Sequence, residues 1–256
     1  MDQRVRALVY RLVPAPLRLQ LMRRYYADRV RHVPILEPEA ALLGRFVRAG
    51  DVVADIGANF GWYTYRLSTL VGPDGSVHAF EPVADTAAVL QHVVHALRLS
   101  NVRVHACAVA DREGNASMDV PRDALGAKNY YLAHLDMAAP APAAATPVRT
   151  LDALRRDGMG RCSFVKCDVE GAEMLVVKGA EAMLASDRPA ILCEVCDHGA
   201  RFGYAPRDIF EFLAARRYRS YRALEGELVA APGPVPDADN YFFVPEERDA
   251  AVAGGA

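Results

Sequence analysis

The sequence predicts an α/β protein with a doubly wound, mostly parallel sheet. Short apolar runs alternate with helix-patterned segments from Asp51 to Arg217. That alternation marks parallel strands covered on both faces by helices. The chain has 256 residues and 52% hydrophobic content, enough for one sizeable core. The last two strand-like runs have no helical pattern between them, which predicts an antiparallel pair at the end of the sheet.

Taken in order, residues 4 to 31 read as basic helical segments interrupted at "VPAP" by Pro14 and Pro16. "EPEAALLGRFVRAG" predicts a helix over 37 to 50, stopped by Gly50. "DVVADI" is a strand and "GWYTYRLSTLVG" a helix ending at Gly72. "GSVHAFEP" is a strand entered through the turn "GPDG", and "ADTAAVLQHVVHALRL" is a helix. "NVRVHACAVAD" is a strand with its exit loop. "CSFVKCDV" is a strand and "EGAEMLVVKGAEAMLA" one helix. "PAILCEV" is a strand and "PRDIFEFLAARR" a helix, and "YRSYRAL" and "DNYFFVP" are the closing strands. Between the third strand and "CSFVKCDV" lies a long insertion. "PRDALGAKNYYLAHL" lacks periodicity, and nine of the twelve residues of "DMAAPAPAAATP" (136 to 147) are Ala or Pro, an extended connector. Such insertions in compact domains are usually functional or disordered loops.

Composition excludes several classes. Net charge is −2, so there is no global attraction to nucleic acid. No run of roughly 18 apolar residues reads as a membrane span, and arginines break up the N-terminal apolar residues, unlike a cleaved signal. Five cysteines, an odd number without framework spacing, point to a reducing cytoplasm. Cys162, Cys167, Cys193 and Cys196 have the makings of a zinc set. Residues three apart on a strand face opposite ways, however, so they read as buried thiols. Asp168 with Glu194 or Asp197 could hold a divalent ion, but without a clear ligand set no metal is expected.

The turn after the first strand carries the chemistry. A dinucleotide turn G-x-G-x-x-G aligned on Gly57 needs glycine at 55 and 60, where this sequence has Asp55 and Phe60. A carboxylate at that lip repels a pyrophosphate. It attracts a cationic ligand, and S-adenosylmethionine carries a sulfonium and an ammonium. Gly57 and Gly61 let the backbone approach a ligand. Glu81 ends the second strand, 24 residues after Gly57, where an acid can accept both hydroxyls of a ribose.

"DVVADIGANFGWYTYRLSTLVGPDGSVHAFEP", "VRTLDAL", "FVKCDVEGAEMLVVKGA" and "PAILCEV" together resemble the FkbM-type methyltransferases, a branch of the class I S-adenosylmethionine-dependent enzymes. The resemblance spans roughly residues 37 to 196, as the core of a domain over 37 to 248 that follows a basic extension over 1 to 36. It implies a seven-stranded class I sheet with the last strand antiparallel, and methyl transfer, usually to oxygen. By the same resemblance Asp55, Gly57, Asn59 and Gly61 shape the methionine half of the cofactor site. Thr64 holds its carboxylate, Glu81 its ribose, and the segment around Ala108 its adenine.

Lys166 and Asp168 share a face of their strand at its carboxyl end, where open α/β sheets bind ligands. Asp168 is read as facing substrate or the cofactor ammonium, with Lys166 as its partner. Glu170 and Glu173 fall on the first turn of the next helix. Glu170 is left between site and structure, while Glu173 fits the helix dipole. His198, just past the fifth strand, is a general base by type. Catalytic candidates are therefore Asp168, His198, Lys166 and Glu170. Asn129, Tyr130 and Tyr131 in the insertion are the expected roof of the acceptor pocket. The expected acceptor is a small molecule, natural product or glycan.

Residues 1 to 33 carry eight arginines against two acids. They read as a helical lid or a homodimer contact, or else as a basic surface for anionic lipid or a carrier-bound substrate. Two other function classes stay open, a nicotinamide-dependent oxidoreductase and a non-catalytic membrane-surface or assembly protein on this scaffold.

Overall fold

The computed structural model describes residues 12–124, 126–136 and 145–249. Arg4, Arg6 and Arg11 and most of the Ala/Pro connector lie outside them. Among the described residues the first whole element, α1, runs over Ala15–His32, with Pro16 in its first turn where its missing N–H costs nothing. The expected helix over 37 to 50 is only one turn, α2 (Glu39–Leu42), continued by a 3-10 turn to Arg45. Its apolar residues Leu42, Leu43, Phe46 and Val47 are buried, so the hydrophobic pattern reports burial rather than a continued helix.

The main sheet contains β1 (Val52–Ile56), β2 (Ser76–Phe80), β3 (Val102–His105), β8 (Cys162–Cys167), β9 (Ala190–Glu194), β10 (Tyr218–Leu224), β11 (Glu227–Ala230) and β12 (Asn240–Pro245). Its order is β11-β10-β12-β9-β8-β1-β2-β3, eight strands rather than seven. β1, β2, β3, β8 and β9 are parallel neighbours. β12 runs antiparallel to both β9 and β10, as the helix-free linker predicted. The added strand, β11, comes from that linker and forms a hairpin with β10. Alternate residues feed opposite cores. Val165, Ile191 and Phe243 pack on one face, and Phe164, Leu192 and Phe242 on the other, which is why these runs read as continuously apolar.

The helices are α3 (Trp62–Val71), α4 (Ala84–Ala96), α5 (Leu151–Leu154), α6 (Glu173–Lys178), α7 (Glu181–Ser186) and α8 (Pro206–Ala214). The single helix expected over 170 to 185 is split into α6 and α7 at Gly179. A Cβ there would stand 2.0 Å from the carbonyl oxygen of Ala110, so a loop from the far side of the domain presses on the break. The third strand run is also divided. Its second part, β4 (Ala108–Val109), joins β5 (Gly114–Asp119), β6 (His134–Asp136) and β7 (Thr146–Arg149) in a four-stranded sheet. Of the segment that lacked periodicity only its end, His134 and Leu135, is strand, preceded by a 3-10 turn at Tyr130–Leu132. Among the described residues no helix is long and apolar enough to cross a membrane.

Candidate active site

Parallel register brings the chemistry to one edge. Asp55 of β1 pairs with Ala79 of β2 and with Lys166 of β8, and Lys166 pairs with Leu192 of β9. Glu81, Asp168 and Glu194 therefore emerge together at the carboxyl ends of the strands. Gly57 takes φ +75°, and a Cβ there would stand 1.8 Å from the carbonyl oxygen of Asp168. The nearest contact that demands this glycine is the neighbouring chain segment. Gly61, at φ +98°, caps α3, and its Cβ would meet a Leu90 methyl at 2.8 Å.

Asp55 is fully buried. Its Oδ2 accepts a hydrogen bond of 2.6 Å from the Thr64 hydroxyl, and among the described residues its Oδ1 has no hydrogen-bond partner. Burial pushes its pKa up, against the pull of Lys166 and Thr64. Glu81 is also buried. Its Oε1 accepts from the Val83 N–H and the Thr86 hydroxyl, and its Oε2 from the Asn59 N–H at 2.9 Å. A carboxylate oxygen has room for two donors, so Oε2 keeps an acceptor position.

On β8, Lys166 Nζ donates to Asp168 Oδ2 at 3.0 Å and to the Gly57 carbonyl at 3.3 Å. Burial alone would lower the Lys166 pKa, but the carboxylates of Asp168 and Asp55 outweigh it and keep the ammonium charged. Glu173, read from sequence as a helix-dipole acid, does more. It accepts from the Val169 and Gly171 N–H groups and the Tyr204 hydroxyl, which staples the turn that presents Asp168 and Glu170. Glu170 holds a left-handed backbone at φ +56°. Burial, then the nearby charges of Asp168 and Glu173, raise its pKa to about 7. Burial and the charges of Asp168, Glu170 and Glu173 raise that of Glu194 to about 9. His198 Nδ1 lies 3.1 Å from Glu170 Oε2.

These groups surround a cavity of about 380 Å³. Of the residues picked from sequence, Gly57, Asn59, Glu81, Ala108, Lys166, Asp168 and Glu170 line it, as do the roof tyrosines Tyr130 and Tyr131. Asp55, Gly61, Thr64, Asn129 and His198 stand behind the wall. Asn129 instead caps the turn that carries the tyrosines, accepting from the Tyr131 N–H. The segment from Val33 to Glu37, together with Phe60, Trp62 and Glu194, lines the cavity too. Nothing local in the sequence marked Val33 to Glu37. It is held there by α1, whose Tyr26 stacks on Phe60 with ring centroids 3.7 Å apart, and by the Tyr63 hydroxyl donating to Glu37.

Residues 55–220 match the family model for the methyltransferase FkbM domain. This chain belongs to the FkbM methyltransferase family. It is 32% identical over 161 residues to the 31-O-demethyl-FK506 methyltransferase FkbM of Streptomyces tacrolimicus, covering 53% of this chain and 61% of that protein. The crystal structure of methyltransferase FkbM from Methylobacillus flagellatus KT superposes with a TM-score of 0.50 at 16% identity, over 77% of this chain and 44% of that one. The chain thus spans less than two thirds of the length of either relative. The FkbM domain is S-adenosylmethionine-dependent, and the cavity suits that cofactor. Asn59 lines it with a buried Oδ1 that has no hydrogen-bond partner among the described residues, an acceptor for an ammonium. The spare position on Glu81 Oε2 suits a ribose hydroxyl, and Cys107, Ala108 and Val109 make an apolar slot for a purine.

Proposed function

We propose that this protein methylates a hydroxyl oxygen of a small molecule, natural product or glycan. The observation that carries the reading is the continuity of the cavity. Asn59, Glu81 and Ala108 line the same cavity as Asp168, Glu170 and Glu194, together with Tyr130, Tyr131 and Trp62. The Streptomyces relative, a 31-O-demethyl-FK506 methyltransferase, puts its methyl on an oxygen. S-adenosylmethionine, when bound, supplies an electrophilic methyl.

The chain's own residues hold and align the reactants. Alignment contributes about 7–11 kcal/mol in well-oriented cases. The carboxylates of Asp168 and Glu170 stand on the wall to take the hydroxyl proton, with Lys166 holding Asp168 in place. Five free thiols, four of them buried, agree with a reducing cytoplasm. The nicotinamide alternative is disfavoured at Phe60, where a dinucleotide turn needs glycine. That side chain is packed under Tyr26.

The test is calorimetric titration with S-adenosylmethionine and with NADH, then turnover on a panel of hydroxylated acceptors read as S-adenosylhomocysteine release. Micromolar S-adenosylmethionine binding, no NADH binding, and release that Asp168→Asn and Glu170→Gln reduce at least about a hundredfold are expected. A folded protein that binds NADH instead overturns the reading.

A further inference from the structure

We propose that Glu194, Cys196 and His198 form a binding site for one divalent transition-metal ion of the zinc class, beside the acceptor end of the cavity. A carboxylate oxygen, the thiol sulfur and an imidazole nitrogen of these three residues all lie within 4.8 Å of one another. Three different donor types converge from five residues of chain where β9 gives way to the 3-10 turn Asp197–Phe202. Alternation on the strand turns Cys193 into the core, whereas Cys196 lies beyond the strand, partly exposed.

The separations suit an ion. Cys196 Sγ is 4.0 Å from Glu194 Oε2. Zinc–sulfur and zinc–oxygen bonds of about 2.3 and 2.1 Å span that gap at an open angle. The widest separation, at most 4.8 Å, must close by no more than about 1.4 Å to reach the tetrahedral spacing that zinc bond lengths set. His198, its side chain 43% exposed, has room to turn.

A second observation points at the same place. His198 Nδ1 is buried and has no aligned hydrogen-bond partner among the described residues, although Glu170 Oε2 is 3.1 Å away. The thiol selects a borderline or soft ion over magnesium or calcium. On binding, the Cys196 S–H and Glu194 O–H bonds break, sulfur–metal and oxygen–metal bonds form, and both protons leave to solvent. Three protein ligands leave a fourth position for water or an acceptor oxygen, as in catalytic rather than structural zinc sites. Glu194 also lines the cavity. The neighbouring trio Asp168, Glu170 and Glu194 also converges, but it is carboxylate alone and carries no proposal. Metal binding does not depend on the methyl-acceptor reading, although use of the ion in turnover would.

The test uses the full chain, stripped with a chelator and titrated with Co(II) alone, without cofactor. One equivalent should bind with a thiolate-to-cobalt charge-transfer band, and Zn(II) should displace it. Cys196→Ser should abolish the band, and His198→Ala should weaken Co(II) binding at least about tenfold. Asp168→Asn should leave the band in place. Circular dichroism checks that each variant folds, and if Cys196→Ser does not, the half-exposed His198→Ala decides. Absence of stoichiometric cobalt, a band that survives Cys196→Ser, or binding lost only in Asp168→Asn overturns the site. S-adenosylmethionine titration of the same stripped protein reports separately on the methyltransferase reading.

Discussion

Asp55 and Thr64 hold each other. The Thr64 hydroxyl donates to the Asp55 carboxylate at 2.6 Å, both side chains are buried, and neither lines the cavity. The acid at the lip of the turn therefore lies one layer behind the cavity wall, beside Lys166. Thr64→Val would leave a buried carboxylate oxygen without its donor, at a cost of about 1–3 kcal/mol. The urea midpoint should fall accordingly, while S-adenosylmethionine affinity changes less than tenfold. A large affinity loss at unchanged stability would instead make Thr64 a direct ligand.

Gly57→Ala should be far more disruptive than Gly61→Ala. The first places a methyl 1.8 Å from backbone, the second 2.8 Å from the end of a leucine that can turn aside. Both positions also hold left-handed backbone, costing about 1–3 kcal/mol for a non-glycine residue. Gly57→Ala should fail to fold or lose more than about 4 kcal/mol, and Gly61→Ala should stay folded with a lowered thermal midpoint. Equal losses would mean that Asp168 gives way more easily than its hydrogen bond to Ile56 suggests.

The parallel sheet was legible because its strands are apolar on both faces, and each such run from "DVVADI" to "PAILCEV" is a strand. The carboxyl-edge residues Glu81, Lys166 and Asp168 were legible for the same reason, since strand ends fix position along an edge. The break at Gly179 was not, because its cause is the carbonyl of Ala110, 69 residues earlier in the chain. Nor was β11, whose one short run is half exposed and gains its partner only after β10 turns back. Thr64 was assigned by resemblance and His198 by its chemistry, but side-chain direction decides whether such a residue faces a cavity. The wall from Val33 to Glu37 depends on a tertiary contact, Tyr26 on Phe60, that no spacing encodes.

Tyr26→Ala should loosen α1. The ring stacks on Phe60 at 3.7 Å and meets Trp62 edge-on at 5.6 Å. Such pairs add about 0.5–1.5 kcal/mol beyond buried area. Trypsin should cut sooner at the exposed Arg24, and KM for the acceptor should rise, since Phe60 and Trp62 line the cavity. Unchanged cleavage would show that α1 is held mainly by its packing on α4.

Acid should destabilise the domain through a histidine pair away from the cavity. His78 Nδ1 and His105 Nε2 lie 3.1 Å apart with their rings stacked, and His105 stacks in turn on Phe80. One imidazole donates and the other accepts, so the contact needs at least one neutral ring. Burial, then His105 and Arg103, lower the His78 pKa to about 4. Burial, then Arg103 and Arg149, lower that of His105. Because the folded value is the lower one, the unfolded chain binds the proton more readily. Stability is intact above about pH 6.5 and falls as the pH drops toward 4. For His78 alone the loss at pH 5 is roughly 2 kcal/mol. Urea midpoints at pH 7.5 and 5 measure it, and His78→Asn, which keeps a hydrogen-bonding group facing His105, should flatten part of the slope. An equal slope in that variant would single out His105, whose folded pKa is also lowered, because buried carboxylates with a raised folded pKa favour the folded state as they protonate and so act in the other direction.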